Sequence, residues 1–173
     1  MKIEIIPLLL SLIPALFVAV LAYLYFKMHT DNEERRRRYL LHKESQKQSL
    51  PLRLQAYERM ALFLERISPA KLMHRMAPVA EDKKSYESLI INTIEQEFEH
   101  NLTQQIYISD EAWSAIKTAK NSTIAMVRKV SLDETVTDAI KMREVVITQV
   151  IENGAPSDAA LGIIKAEVTD VMG

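Results

Sequence analysis

No cysteine occurs in the 173 residues, which excludes disulfides, thiol catalysis and cysteine-ligated metal and agrees with a reducing compartment. Glycine is almost as scarce. With only Gly154, Gly162 and Gly173, the chain cannot build a glycine-rich loop to cradle phosphate, and no serine sits in a Gly-x-Ser-x-Gly turn. Scattered β-branched residues and frequent helix-start patterns point instead to an all-α chain. The net charge of -1 is small, but it hides a segregation. Residues 27–78 carry 12 basic and 6 acidic residues, and residues 79–173 carry 9 basic and 16 acidic, so the balance runs from +6 to -7. An acidic distal half is a poor nucleic-acid binder.

What the chain does have is one uncharged block, Ile5 to Phe26, ending against Lys27 and the run Glu33, Glu34, Arg35, Arg36, Arg37, Arg38. At about 1.5 Å per residue such a helix extends roughly 33 Å, which matches a hydrocarbon core of about 30 Å. The block reads as a single transmembrane anchor. Lys2 is balanced by Glu4 ahead of it, whereas Lys27, Arg35 to Arg38, Lys43 and Lys47 follow it, so the positive flank places the C-terminal bulk in the cytoplasm. Tyr23, Tyr25 and Phe26 suit the headgroup zone at that end, and Lys27 can snorkel outward. The expectation is a single-pass protein of the cell inner membrane. A cleaved signal peptide, with Val20-Leu21-Ala22 as cleavage site, is the competing reading. It is opposed by a scarcely basic n-region, an over-long apolar run and the four arginines that follow. Those arginines serve as a topology determinant, and anionic lipid or an acidic partner is their alternative use.

The organisation expected is an anchor at residues 1–27, a basic juxtamembrane helix at 28–48 and a helical cytoplasmic domain at 49–173, folded as an antiparallel bundle. Pro51 opens a helix to Ile67, after a junction at Ser49-Leu50, and Pro69 opens a short one to Met76. A polar connector, Val79 to Lys84, precedes a helix from Ser85 to Gln105 with Tyr86, Leu89, Ile90, Thr93, Ile94, Phe98 and Leu102 on its inner face. Ile106 to Ile108 is the one place where a strand competes. Ser109 caps a helix to Val130 that buries Trp113, Ile116, Ile124 and Val127, with Asp110 and Glu111 favourably placed in its first turn. Ser131 and Glu134 form a capping box for a helix that buries Val136, Ile140, Val146 and Val150 and closes at Asn153-Gly154. Ser157 starts the last helix, with Ala160, Leu161, Ile164 and Val168 inward.

The stretches FKMHTDNEERRRRYLLHKESQKQSLPLRLQAYERMALFLERISP (residues 26–69) and IEQEFEHNLTQQIYISDEAW (residues 94–113) resemble a family of small, uncharacterised bacterial proteins with one N-terminal span and a helical domain. The resemblance covers nearly the whole chain and implies architecture and membrane attachment. It brings no functional residues with it.

Glu97 and His100 stand one helical turn apart, the Glu-x-x-His step of di-iron bundles, but a second such step and two further glutamates are missing. No metal or other cofactor is expected. Phe98 to Thr103 also faintly resembles a histidine-kinase phospho-acceptor box, which would need a phosphate donor from elsewhere. The Asn-x-Thr triplets at Asn101 and Asn121 are chance matches in a cytoplasmic domain. Residues 51–67 are apolar over more than half of the helix circumference, so Leu54, Tyr57, Ala61 and Leu64 are candidates for partner or homo-oligomer contact. The sequence favours a non-enzymatic interaction protein, a scaffold or accessory subunit at the membrane. A regulatory or catalytic module using His100 and Glu97 is the alternative. A rotary-ATPase-like stalk is disfavoured by Pro51, Pro69 and Pro78.

Overall fold

The computed structural model describes residues 5–172, and of residues 5–13, 31, 32, 45 and 46 the backbone alone. Lys2, Glu4 and the side chains of the first part of the expected anchor therefore lie outside the described residues. Every described element is helical: α1 (Ile5–Ile67), α2 (Pro69–Arg75), α3 (Lys83–His100), a 3-10 turn (Leu102–Ile106), α4 (Asp110–Leu132), α5 (Ala139–Asn153) and α6 (Pro156–Met172). The chain divides into two compact units, Met1–Ser49 and Leu50–Gly173.

Among its described residues the first unit buries no side chain. From Pro14 to Thr30 every side chain is exposed, and its large apolar residues from Leu16 to Met28 keep 49% to 71% of their surface. Among the described residues no helix is long and apolar enough to cross a membrane. The structure thus supports the all-α class and leaves the transmembrane part of the expected architecture without structural support.

The second unit is a helical bundle with a continuous core. On α1, Ala56, Met60, Phe63 and Ile67 are buried at steps of four, three and four, with Tyr57 and Leu64 buried beside them, which lines one helix face. They meet Leu72 and Met73 from α2, Ile90 and Ile94 from α3, Ile116 and Val127 from α4, Met142 and Val146 from α5, and Ile164 from α6 in one cluster. Three cross-ties fix the connectors. The Arg143 Nε donates to the Met73 carbonyl at 2.9 Å, the Ala139 N–H to the Glu81 carbonyl at 2.9 Å, and the Lys83 ammonium to the Val136 and Asp133 carbonyls at 2.7 and 3.1 Å.

Several boundaries differ from the sequence reading. Pro51 opens no new helix, because α1 runs through it: a proline's locked φ is itself helical, so the ring removes one backbone bond without forcing a turn. Helix α3 starts earlier than Ser85, since the Asp82 carboxylate accepts from the Lys84 and Ser85 N–H groups, and it ends at His100. Leu89 and Leu102 are exposed. Residues 106–108 form no strand; Ile106 closes the 3-10 turn. The capping box at Ser131 does not form. Ser131 is buried inside α4, which continues to Leu132, and Asp133 turns its carboxylate to the Thr135 N–H and hydroxyl. The true cap is Asp138, which accepts from the Lys141 N–H at 2.8 Å. That shift exposes Ile140 and buries Ala139 and Met142. Ser109 caps α4 as expected, accepting from the Ala112 N–H at 2.9 Å. At the end of α5, Gly154 has φ 79°, a backbone that disfavours any side chain.

Candidate functional site

The later part of α1 and the later part of α3 enclose an open cleft of 640 Å³ inside the second unit. Helix α1 supplies Arg59, Leu62 and Arg66, spaced three and four apart and hence on one face. Helix α3 supplies Thr93, Gln96, Glu97 and His100, and Asn101 closes the end. Leu62 is 57% exposed between the two arginines, an apolar step in a polar wall.

The two residues singled out by sequence, Glu97 and His100, do lie together here, but each is already engaged. The Glu97 carboxylate receives Arg66 at 2.8 Å and stands 3.9 Å from Arg75. A carboxylate held between two guanidiniums has its acceptor positions engaged. The Nδ1 of His100 lies 2.9 Å from the Gln96 carbonyl, which can only accept, so Nδ1 carries the hydrogen and Nε2 is left for the cleft. Among the described residues no group of three or more His, Asp or Glu side chains is placed to hold a metal ion.

Phe63 of the cleft lining belongs to an aromatic cluster. Phe63 packs on Phe98 at 5.7 Å between ring centres, Phe98 stacks on Trp113 at 5.2 Å, and the Lys120 ammonium lies 4.8 Å over Phe98 while reaching Glu95 at 2.7 Å.

Of the candidate contact residues, Leu54, Tyr57 and Ala61 line one groove and Leu64 does not. Leu64 is wholly buried and Tyr57 nearly so, both within the bundle's own core. Leu54 and Ala61 are half-buried and, with Tyr57, line this groove, of 610 Å³, against Ile164 and Val168 of α6. Beside that groove the Tyr57 hydroxyl donates to one oxygen of Glu167 at 2.7 Å, and the Ser109 hydroxyl donates to the other. Burial raises the Tyr57 phenol above its ordinary range, and the Glu167 bond adds to the effect. This tie is invisible to spacing arguments, since its members stand far apart in the chain.

The membrane-interface candidates Tyr23, Tyr25, Phe26, Lys27 and Arg35 to Arg38 are all exposed on α1. Tyr25 stacks on His29 at 6.1 Å, and Arg38 pairs with Glu34 one turn back at 3.1 Å.

The chain matches a family of unknown function, DUF7935, over residues 3–171. It belongs to that family. The match takes in both compact units, so the apolar run and the helical bundle are parts of one family architecture. No curated protein and no solved structure matches the chain.

Proposed function

We propose that this member of the family is a non-enzymatic, membrane-anchored interaction protein, a scaffold or accessory subunit. It holds the bundle of Leu50–Gly173 at the cytoplasmic face of the inner membrane for a protein partner. One observation carries the reading: the described apolar side chains of the first unit, from Leu16 to Met28, are all exposed on the helix. A helix that is apolar on every side requires lipid or protein around it. The uncharged run Ile5 to Phe26 has the length for lipid, and the basic residues that follow give the orientation. Arg35 to Arg38, all exposed, add attraction to anionic lipid headgroups.

Alkaline carbonate extraction of membranes tests the anchor. The chain is expected in the pellet, and its release into the supernatant overturns the proposal. Protease added to intact spheroplasts tests orientation, since residues 50–173 should stay uncut until the membrane is opened.

A further inference from the structure

The second unit carries 14 basic and 18 acidic residues, a balance of -4. Its α1–α3 cleft has the opposite sign. Arg59 and Arg66 line it against one lining carboxylate, Glu97, which Arg66 shares with Arg75 of α2. Arg59 forms no ion pair among the described residues, and it is exposed at the cleft mouth. Arg66 spends part of its guanidinium fork on Glu97, and a guanidinium has five N–H donors, so it keeps donors for a second acceptor.

Register adds a second constraint. Arg59 and Arg66 are two helical turns apart, about 10.5 Å along the axis at 1.5 Å per residue, and point to nearly the same side. The exposed Leu62 falls between them. A facing helix complements this pattern if it carries carboxylates seven residues apart with an apolar side chain three or four residues after the first.

We infer that this cleft is the docking site for an acidic helical segment of a protein partner, with two carboxylates meeting Arg59 and Arg66 and one apolar residue seated on Leu62. The inference rests on the interaction reading above and names the chemistry of the partner. Charge complementarity selects the occupant: the net negative balance of this unit opposes an acidic segment, while Arg59, without an ion pair among the described residues, and the spare donors of Arg66 favour one at this cleft and set its register and orientation.

The test is site-specific photocrosslinking in the full-length protein in its own membranes. A photoreactive residue replaces Leu62 in one preparation and Val168, in the α6 groove, in another. The expected adduct from position 62 is a peptide of net negative charge with two acidic residues seven apart. Arg59→Glu should cut its yield about tenfold, the equivalent of about 1.4 kcal/mol, and replacing the matching carboxylate on the captured segment by lysine should restore it. Arg59 is exposed, so the variant is expected to fold, and an unchanged melting curve checks this. A neutral or basic adduct, a lipid adduct, no adduct, or an adduct indifferent to Arg59→Glu overturns the inference. Capture of a partner only from position 168 overturns it too, yet leaves the interaction reading standing; solubility in carbonate would instead remove the anchor.

Discussion

Phe17 and Phe63 lie on the same helix and have the same side chain, yet Phe17 is 63% exposed and Phe63 is 1% exposed. The difference is one of surroundings rather than of residue type. In the second unit, apolar residues recur at helical spacing between charged ones, so the fold can hide one face and wet the other. In the first, they run without interruption from Pro14 to Phe26, and no face is left to wet. Amphipathic spacing makes a helix that other helices can cover, and uninterrupted spacing makes one that needs an apolar medium.

The sharpest way to break this contrast is to put charge into the uninterrupted stretch. Val18→Asp together with Leu21→Asp should move the full chain from the carbonate-resistant pellet to the supernatant, because each charge costs about 2.5–3.5 kcal/mol at the centre of a span. The melting transition of the bundle should stay where it is. Continued membrane retention would mean that the exposed residues serve some other cover. The converse experiment lies in the core, where Phe63→Ala removes the ring packed against Phe98 and should cost about 3–5 kcal/mol in urea unfolding without affecting fractionation. A loss below about 1 kcal/mol would show the bundle looser than its packing implies.

Two smaller effects sharpen the comparison inside the second unit. The Thr123 hydroxyl is buried without a hydrogen-bond partner among the described residues, so Thr123→Val should stabilise by about 1 kcal/mol; destabilisation would reveal a partner for that oxygen. Acid should act through the helix caps. Hydrogen bonds from Ser85, Thr135 and the Lys141 N–H hold Asp82, Asp133 and Asp138 below the usual carboxylate range. The unfolded state then binds protons more readily, so this stabilisation is complete above the ordinary aspartate pKa and fades as pH falls through the lowered folded values. A melting series at decreasing pH should show the decline, and Asp138→Asn should make it shallower.

The class of fold was legible because it rests on composition and spacing. Ser109 could be read as a cap since a serine precedes two acidic residues and then Trp113, and nothing longer-ranged competes. Ser131 misled for a physical reason: Val127 and Val130 are buried just before it, and their packing carries α4 past the serine before Asp138 takes the cap. Pro51 misled in the same way, a local stop overridden by a helix continuing around it. At the cleft, Glu97 and His100 could be paired from their spacing alone. The guanidiniums that occupy Glu97 come from α1 and α2, and only folding brings them there. Leu54 and Leu64 look equivalent along the chain, yet one borders a groove and the other is sealed in the core.

Arg35 to Arg38 occupy four consecutive helical positions, and at about 100° per residue they sweep roughly 300° of the circumference. They make a ring and not a stripe. Such a ring presents positive charge around most of the circumference, so under the proposed attachment the helix would turn about its own axis beside a negatively charged sheet with little electrostatic torque. Tilting it flat would bring Glu33 and Glu34 down toward that sheet along with the arginines. Under the membrane attachment proposed above, the ring would act as a bushing, one that favours an upright helix and leaves rotation free.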